Sequence, residues 1–277
     1  MIKKFAMLIC VVATVAMTVT ANAQSQSVGS SSRTVGHRWP AEKLAPIDRV
    51  DHSVFDQLLK KHVNADGQVN YKAWHQSTAD RDALKSYLDT LSCADSDALS
   101  KREAILSYWI NAYNAVTIEG ILRVYPTTTI RNHTSESGGY NIWKNLMFNA
   151  GLKQVSLEDI EHKILRKMGE PRVHFAIVCA SIGCPRLLNE AYVPDRLANQ
   201  LAVNTKDFFS RPQNLQVSGN TLMMSKIISW FGTDFAPSQQ QQVQVLSKYF
   251  PQSAQQLAAS GNYGVGFLEY DWNLNTQ

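Results

Sequence analysis

The stretch Ser100–Tyr125, SKREAILSYWINAYNAVTIEGILRVY, decides how the rest of the chain must fold. Ser100 and Glu103 form a capping-box pattern at its start, and Pro126 follows its end. Apolar residues occupy most of the circumference of the helix that this pattern predicts. Since such a helix has to be surrounded by other elements, we expect it at the centre of the domain.

A narrow polar stripe interrupts this apolar helix surface. On a helical wheel the stripe holds Glu103, Ser107, Asn111 and Asn114. No lysine or arginine lies between Arg102 and Arg123, although a solvent-facing side usually carries long charged side chains. The stripe therefore favours a buried hydrogen-bond network or the lining of a site over a plain solvent face.

Val173–Ala180, VHFAIVCA, is apolar except for His174 and predicts a central strand that is buried on both faces. The segment 181–183 then breaks the run. Cys184–Leu188, CPRLL, predicts the start of a helix with proline at its first position. Free amide groups and the helix dipole at such a start would stabilise a thiolate, so Cys184 is the best candidate for a nucleophile or a redox residue.

Ser156–Asp159 is a second capping-box pattern and predicts a helix to Met168. Glu161 projects close to the centre of the apolar stripe of this helix, where a carboxylate needs a partner. His162 lies at the edge of the stripe and is compatible with an exposed, a structural or a site role.

Weaker patterns fill the remainder of the chain. We expect a helix near Phe55–Lys61, a short strand near Gln68–Tyr71, a helix over Pro194–Phe209, a hairpin over Leu215–Met224, a strand over Val265–Tyr270 and a docked C-terminus. The aromatic residues between Ile228 and Phe235 suit either core filling or a ligand-stacking wall. The fold class is α+β, a helix-rich single domain over residues 46–277 around a small, mostly antiparallel sheet.

The N-terminal residues predict an export signal. Lys3 and Lys4 precede an apolar run over Phe5–Val19, and a small-residue cleavage site follows at Ala21–Ala23. We expect a signal peptide over residues 1–23 and a periplasmic or secreted protein without a stable membrane span after cleavage. The alternative is an uncleaved anchor, although the run is shorter than the ~20 residues that span a bilayer.

The amino-acid composition limits the kinds of protein that this chain can be. Residues 24–45 are rich in serine, glycine and glutamine and predict a disordered linker. The 44% apolar and 18% charged side chains are those of an ordinary globular protein. Loss of Lys3 and Lys4 would leave 25 of the 27 basic residues against 23 acidic ones, so no basic field predicts nucleic-acid binding.

Three cysteines remain after signal cleavage: Cys93, Cys179 and Cys184. Three connectivities stay open, namely a 179–184 bridge, a bridge that uses Cys93, and three free thiols. The spacing between the last two differs from that of thioredoxin-type pairs and zinc knuckles. No close pair of ligands at helical spacing is present, so we expect no metal and no cofactor.

Four blocks carry a resemblance to a known family: Tyr108–Ala115 (YWINAYNA), Ile160–Arg166 (IEHKILR), Pro171–Pro185 and Tyr270–Asn275 (YDWNLN). Together they resemble the domain-of-unknown-function family numbered 547. The resemblance covers most of the chain after about residue 46 and is densest from about 98 to 211. Lys163 departs from the pattern, since the family has a glycine there. The resemblance implies no established catalytic residues, because the family is uncharacterised.

A weaker analogy connects the chain to papain-like and transglutaminase-like folds, in which a helix packs on a strand that begins with histidine. The helix from Ser100 and the strand with His174 would take those parts. This helix carries Asn111 and Asn114 where such enzymes place a cysteine, so a nucleophile would have to come from elsewhere.

The first functional hypothesis is a binding protein. Its polar pocket for a small ligand or peptide would be built by Ser107, Asn111, Asn114, Glu161, His162 and His174. Uncharged amides and one carboxylate suit recognition better than proton transfer. A different hypothesis is that cysteines and histidines bind a metal ion, but the sequence contains no ligand pattern that supports it.

The alternative is a thiol-dependent enzyme that transfers acyl groups or hydrolyses amides. Cys184 would be its nucleophile, His174 its base, and Glu161 or Asn111 would orient that base or bind the oxyanion. A straight strand would separate His174 from Cys184 by roughly 20 Å or more. The enzyme hypothesis therefore requires that the chain turn back between these two residues.

Overall fold

The computed structural model describes residues 33–135 and 140–277, and Arg33–Gln277 forms one compact unit. The signal peptide expected at residues 1–23 and the linker residues 24–32 lie outside the described residues. The helix-rich α+β class is confirmed.

The central helix is confirmed as α4, Arg102–Val124, and seventeen of its residues are buried. The other helices are α1 Ser53–His62, α2 Tyr71–Gln76, α3 Thr78–Ser92, α5 Ile142–Asn145, α6 Leu157–Asp159, α7 Leu197–Ser210, α8 Lys226–Phe235, α9 Gln239–Leu246 and α10 Gln252–Ser260. Short 3₁₀ turns occur at Ala41–Lys43, Ile47–Arg49, Ile130–His133, Pro171–Phe175, Pro194–Arg196 and Ser247–Tyr249. This arrangement explains the apolar circumference of α4, since helices from both halves of the chain pack against it.

The strands are short and form small mixed sheets. They are β1 Thr34–Val35, β2 Ala45–Pro46, β3 Ala94–Asp95, β4 Met147–Ala150, β5 Lys153–Val155, β6 Leu215–Ser218, β7 Thr221–Met224 and β8 Gly264–Phe267. The pairs β1–β4, β2–β3 and β7–β8 are parallel, whereas β4–β5 and β6–β7 are antiparallel. The sheets are thus mixed in direction, and the expected strand near Gln68–Tyr71 reduces to a bridge between Val63 and Val69.

The predicted central strand Val173–Ala180 is wrong. Pro171–Phe175 forms a 3₁₀ turn, and residues 176–180 continue as a loop. The segment is buried as expected, but side-chain amides rather than strands hold its backbone. Asn114 bonds the carbonyl of Ala176 and the amide of Val178, and Asn204 donates to the carbonyl of Phe175 at 2.6 Å. Its apolar side chains are therefore buried between helices α4 and α7 instead of within a sheet.

The predicted helix start at Cys184 is also wrong, since residues 184–188 form no helix. The preceding backbone pairs with the C-terminal segment instead. The amide of Ile182 donates to the carbonyl of Asn273, and that of Gly183 donates to the carbonyl of Asp271, both at 2.8 Å. These bonds confirm that the C-terminus docks on the domain, and they hold this loop in a turn.

Residues 33–45 do not form the expected disordered linker. Val35 is buried, and β1 pairs with β4. Trp39 donates its indole N–H to the carbonyl of Asp89 at 3.1 Å. Sequence-distant partners therefore order a segment whose own composition favours disorder.

The helix expected from Ser156 to Met168 is present but changes its winding. The Ser156–Asp159 capping box opens α6, a π-helix follows over Ile160–Leu165, and a 3₁₀ turn over Arg166–Met168 ends it. A π-helix turn shifts the side chains that follow it relative to an α-helix. Across the described ranges, no helix is long and apolar enough to cross a membrane.

Candidate functional site

A cavity of about 220 Å³ opens beside α4 and is lined by both aromatic rings and polar groups. The aromatic rings belong to Tyr113 on α4 and to Trp143, Trp230, Phe231, Tyr270 and Trp272, and we call the last five the aromatic wall. The polar groups include Glu161, His162, His174, Cys179 and Cys184. Because α5, the π-helix, α8, the 176–184 loop and the C-terminal segment all contribute, the cavity forms only when the whole domain is folded.

The π-helix brings Glu161 to the cavity. Its Oε2 accepts a hydrogen bond from the hydroxyl of Tyr113 on α4 at 3.2 Å. Burial raises the pKa of the Glu161 carboxyl, against the opposing influence of the nearby His162. The partner that the sequence required for this carboxylate is therefore a tyrosine on the central helix.

His174 belongs to an ion-pair network behind the cavity wall. Its Nε2 lies 2.8 Å from Oδ2 of Asp234, and Arg166 binds both oxygens of the same carboxylate at 2.6 and 2.7 Å. The Arg166 hydrogen bonds lower the pKa of Asp234 to about 2. Burial lowers the pKa of His174, although its hydrogen bond to Asp234 opposes that effect. The imidazole also stacks on Phe231 at 4.3 Å between centroids.

The same arginine orients His162. Arg166 Nη1 lies 3.2 Å from His162 Nδ1. Since a guanidinium has no acceptor, Nδ1 has to accept this bond, which leaves the ring proton on Nε2. Arg166 thus connects the two histidines of the cavity.

The two thiols lie together at the floor of the cavity. Sγ of Cys179 and Sγ of Cys184 are 2.8 Å apart, and both residues are free cysteines. The hydroxyl of Tyr270 lies 3.4 Å from the first sulfur and 3.0 Å from the second. The hydrogen bond from Cys184 lowers the pKa of the Cys179 thiol, whereas burial raises the pKa of the Cys184 thiol. An anion is thus favoured on Cys179 and not on Cys184.

The loop between the thiols has an unusual backbone. Ala180 adopts a left-handed conformation with φ 62°, which non-glycine residues rarely do. A Cβ atom on Gly183 would lie 2.9 Å from the ring of Tyr270. The loop therefore packs closely against Tyr270, and its backbone strain lies at the candidate site.

Four of the seven site residues expected from the sequence line this cavity: Glu161, His162, His174 and Cys184. Ser107, Asn111 and Asn114 do not line it, and all three are buried in α4. Asn111 binds the backbone of Tyr192 through both ends of its amide, at 2.8 and 3.0 Å. Asn111 and Asn114 thus form structural contacts, which is one of the three interpretations of the stripe, whereas the hydroxyl of Ser107 is buried without a hydrogen-bond partner among the described residues and Glu103 is exposed.

Sequence reasoning missed Asp234 and the importance of Cys179 and Tyr270. Cys179 was considered only as the partner of Cys184 in a bridge, and Tyr270 only as part of a docking segment. Asp234 follows the aromatic stretch that began at Ile228. These residues could not be connected from the sequence, because Asp234 lies 60 residues from His174 along the chain and Tyr270 lies 91 residues from Cys179.

The helix-start argument for a thiolate on Cys184 is wrong, because no helix begins there and burial raises the pKa of its thiol. The chain does turn back, so that His174 and Cys184 border one cavity. Within the described ranges no hydrogen bond joins an imidazole to either thiol. In the same ranges, no three His, Cys, Asp or Glu side chains are arranged to hold a metal ion.

Comparison with known proteins assigns a family to part of the chain. The family described as "Protein of unknown function, DUF547" matches residues 97–209. Neither the curated proteins nor the solved structures contain a match to this chain. The matched region includes α4, the π-helix and both thiols. Residues 97–209 therefore match the DUF547 family, as three of the four sequence blocks indicated, whereas the fourth block, Tyr270–Asn275, lies outside the match.

Proposed function

We propose that the protein binds a compact organic ligand with a planar ring in the cavity between the aromatic wall and the thiol floor. One observation carries this proposal: six aromatic side chains and a half-buried carboxyl converge on a single concave space. Ligand pockets combine mostly apolar walls with a few placed polar groups in this way. The volume of about 220 Å³ is below the ~300–1,000 Å³ of drug-sized pockets, which favours a small ligand.

The aromatic wall supplies stacking surfaces. Tyr270 and Trp272 lie 4.5 Å apart between centroids, and Trp230 lies 5.0 Å from Tyr270. Trp230 is 47% exposed, although a large aromatic side chain gains from burial. A ring that entered the cavity beside Trp230 would cover this surface and stack on it.

The polar side of the cavity would orient the ligand. Glu161 is held by Tyr113, and burial raises the pKa of its carboxyl, whose oxygens can accept hydrogen bonds from a ligand. His162 is fixed by Arg166 and presents its other ring nitrogen. A ligand with a ring and one adjacent donor–acceptor group therefore fits better than a purely apolar molecule.

Ligand-observed ¹⁹F NMR with a library of fluorinated aromatic and heteroaromatic fragments tests this proposal. We expect hits whose signals broaden with the intact protein and recover with Trp230→Ala, because the stacking surface is lost. Glu161→Gln should weaken those hits that carry a hydrogen-bonding group beside the ring.

Trp39→Ala is the matched control, since Trp39 is also a partly buried tryptophan but lies outside the cavity. It should leave the hits unchanged. Hits that respond equally to both tryptophan variants, or a library without any hit sensitive to Trp230→Ala, would argue against a ligand pocket here.

Thiol-dependent acyl transfer remains the second candidate. One observation favours it: Asp234 contacts His174, as an orienting carboxylate contacts a catalytic base, while Cys184 borders the same cavity. Asp234 would then take the role that the sequence analysis gave to Glu161 or Asn111. Hydrolysis of chromogenic esters and thioesters that disappears in both Cys184→Ala and His174→Gln would support it. Its absence in the unaltered protein would exclude this class of substrate.

We also propose that the chain is exported, on the basis of Lys3, Lys4, the apolar run and the site at Ala21–Ala23. Mass spectrometry of the N-terminus from fractionated cells tests this. A mature N-terminus at Gln24 in the periplasm or medium is expected, whereas an uncut chain in the membrane fraction would favour the anchor alternative.

A further inference from the structure

Cys179 and Cys184 are placed so that a disulfide bond between them requires little motion. Their sulfurs are 2.8 Å apart, and a disulfide bond is ~2.05 Å long. The two sulfurs therefore need to approach by less than about 1 Å. The backbone amide of Cys179 also donates to Sγ of Cys184 at 3.1 Å, which fixes this sulfur beside its partner.

The fold holds this arrangement from outside the loop. Ser181 forms a bridge with Leu274, and the amides of Ile182 and Gly183 donate to the C-terminal segment. Cys184 closes a turn through its amide and the carbonyl of Ser181 at 3.1 Å. Because these bonds do not involve the sulfurs, the loop can keep its shape in both the reduced and the bridged form.

The two thiols have different environments. Cys179 is partly exposed toward the cavity, whereas Cys184 is 7% exposed. Hydrogen bonds with the Cys184 thiol, the Tyr270 hydroxyl and the Ser181 hydroxyl lower the pKa of Cys179. An accessible thiol with a lowered pKa beside a buried one with a raised pKa is the division expected of an attacking and a resolving cysteine.

We propose that Cys179 and Cys184 are a redox-active pair that exchanges with low-molecular-weight disulfides entering the cavity. The Cys179 thiolate attacks one sulfur of the substrate, whose S–S bond breaks, and the first substrate thiolate leaves with the proton of Cys184. The Cys184 thiolate then attacks Sγ of Cys179, and the second substrate thiolate leaves and takes a proton from water. The pair loses two electrons, and the substrate disulfide becomes two thiols.

The cavity explains the size of the substrate. Its volume of about 220 Å³ and the surrounding rings leave room for a small disulfide but not for one on the surface of a folded protein. This inference goes beyond the proposed ligand binding and does not rest on it, since it requires only that a small disulfide reach Cys179.

The test uses the full chain, reduced and then exposed to bis(2-hydroxyethyl) disulfide, which is small enough for the cavity, with acid quenching and mass mapping of the products. The unaltered protein should form the 179–184 disulfide, and an excess of 2-mercaptoethanol should reverse it. Cys184→Ser should accumulate a mixed disulfide on Cys179, because no resolving thiol remains. Cys179→Ser should lose both products, and Cys93→Ser should behave as the unaltered protein.

The Tyr270→Phe variant tests whether the Tyr270 hydroxyl makes Cys179 more reactive, beyond the short distance between the two thiols. It keeps the ring but removes the hydroxyl that contacts both sulfurs. In the Cys184→Ser background, we expect mixed-disulfide formation to slow at neutral pH and to recover at higher pH, since the Cys179 pKa rises. Circular dichroism and thermal unfolding confirm that each variant is folded.

Three outcomes would overturn the proposal. The first is a 179–184 bridge that excess 2-mercaptoethanol leaves intact while the protein is folded, which would make it a static crosslink. The second is a first adduct on Cys93 or Cys184 instead of Cys179. The third is faster exchange with a disulfide on a folded protein than with bis(2-hydroxyethyl) disulfide. None of these results depends on whether fluorinated fragments bind at Trp230, so the two proposals fail separately.

Discussion

Asn114 on the central helix holds the segment that leads to the thiols, and Asn114→Ala should destabilise the protein strongly. Its side chain is 3% exposed. Its Nδ2 donates to the carbonyl of Ala176 and its Oδ1 accepts from the amide of Val178, both at 3.0 Å. One amide thus provides the two bonds that a neighbouring strand would otherwise supply to this buried segment.

The expected magnitude follows from the two groups that lose their partner. A buried donor or acceptor left unsatisfied costs about 1–3 kcal/mol, and two of them cost roughly 2–6 kcal/mol before relaxation. Partial rearrangement of the loop leads us to expect a loss of about 3 kcal/mol in the free energy of unfolding. This is a large part of the total stability of about 5–15 kcal/mol that is usual for folded proteins.

Urea unfolding followed by circular dichroism measures this loss. With an m-value of about 3 kcal/mol/M, the midpoint of Asn114→Ala should fall by about 1 M urea while m stays unchanged. Asn262→Ala is the control, because Asn262 is exposed, and its effect should stay within about 0.5 kcal/mol. A loss below about 1 kcal/mol for Asn114→Ala would refute the argument that this amide replaces a strand.

Three further predictions concern titration and packing. Burial lowers the pKa of His52 to about 4, below its usual 6.5 in the unfolded chain. The free energy of unfolding should therefore be unaffected by this group above pH 6.5 and fall by up to about 3 kcal/mol toward pH 4. An NMR titration midpoint of His52 near 6.5 would contradict this. The hydrogen bonds of Arg166 lower the pKa of Asp234 to about 2. Asp234→Asn should therefore reduce the free energy of unfolding by about 1 kcal/mol at pH 7 after solvent screening, and the variant should lose less stability than the unaltered protein between pH 4 and 2. Acid-unfolding curves of the two proteins that stay parallel would contradict this. Gly183→Ala places a Cβ 2.9 Å from the ring of Tyr270 and should lower stability by about 1–3 kcal/mol in thermal unfolding; an unchanged midpoint would show that the loop gives way.

The central helix could be predicted because its signals are local. The capping pattern at Ser100, the apolar circumference and Pro126 all lie within one stretch of chain. The absence of long charged side chains also predicted that its polar stripe is not a plain solvent face. Which backbone groups the stripe binds could not be predicted, because Tyr192, Ala176 and Val178 lie 62 to 81 residues further along the chain.

The failed strand prediction has a physical reason. An apolar run indicates burial on all sides, and both a central strand and a loop enclosed by helices satisfy it. The backbone of a buried loop needs hydrogen-bond partners, and here Asn114 and Asn204 supply them. Burial of Val173–Ala180 was thus predictable, whereas its conformation depended on side chains of two distant helices.

The sequence pointed to a residue that lines the cavity where that residue conflicted with its local surroundings. Glu161 was identified because a carboxylate on an apolar stripe requires a partner, and Tyr113 provides it. Tyr270 created no such conflict, since a tyrosine near the end of a chain is ordinary. Its role arises only because the C-terminal segment pairs with the 181–183 loop.

Most, but not all, of the aromatic wall lies after the family match. Glu161, His162, both thiols and Trp143 lie within the DUF547 match at residues 97–209, whereas Trp230, Phe231, Tyr270 and Trp272 lie after it. Thiol chemistry would therefore belong to the matched region, while the shape of the space above the thiols depends largely on the residues that follow. Exchange of the C-terminal aromatic residues should accordingly change which ligands enter without separating Cys179 from Cys184. The hydroxyl of Tyr270 is an exception, because it contacts both sulfurs.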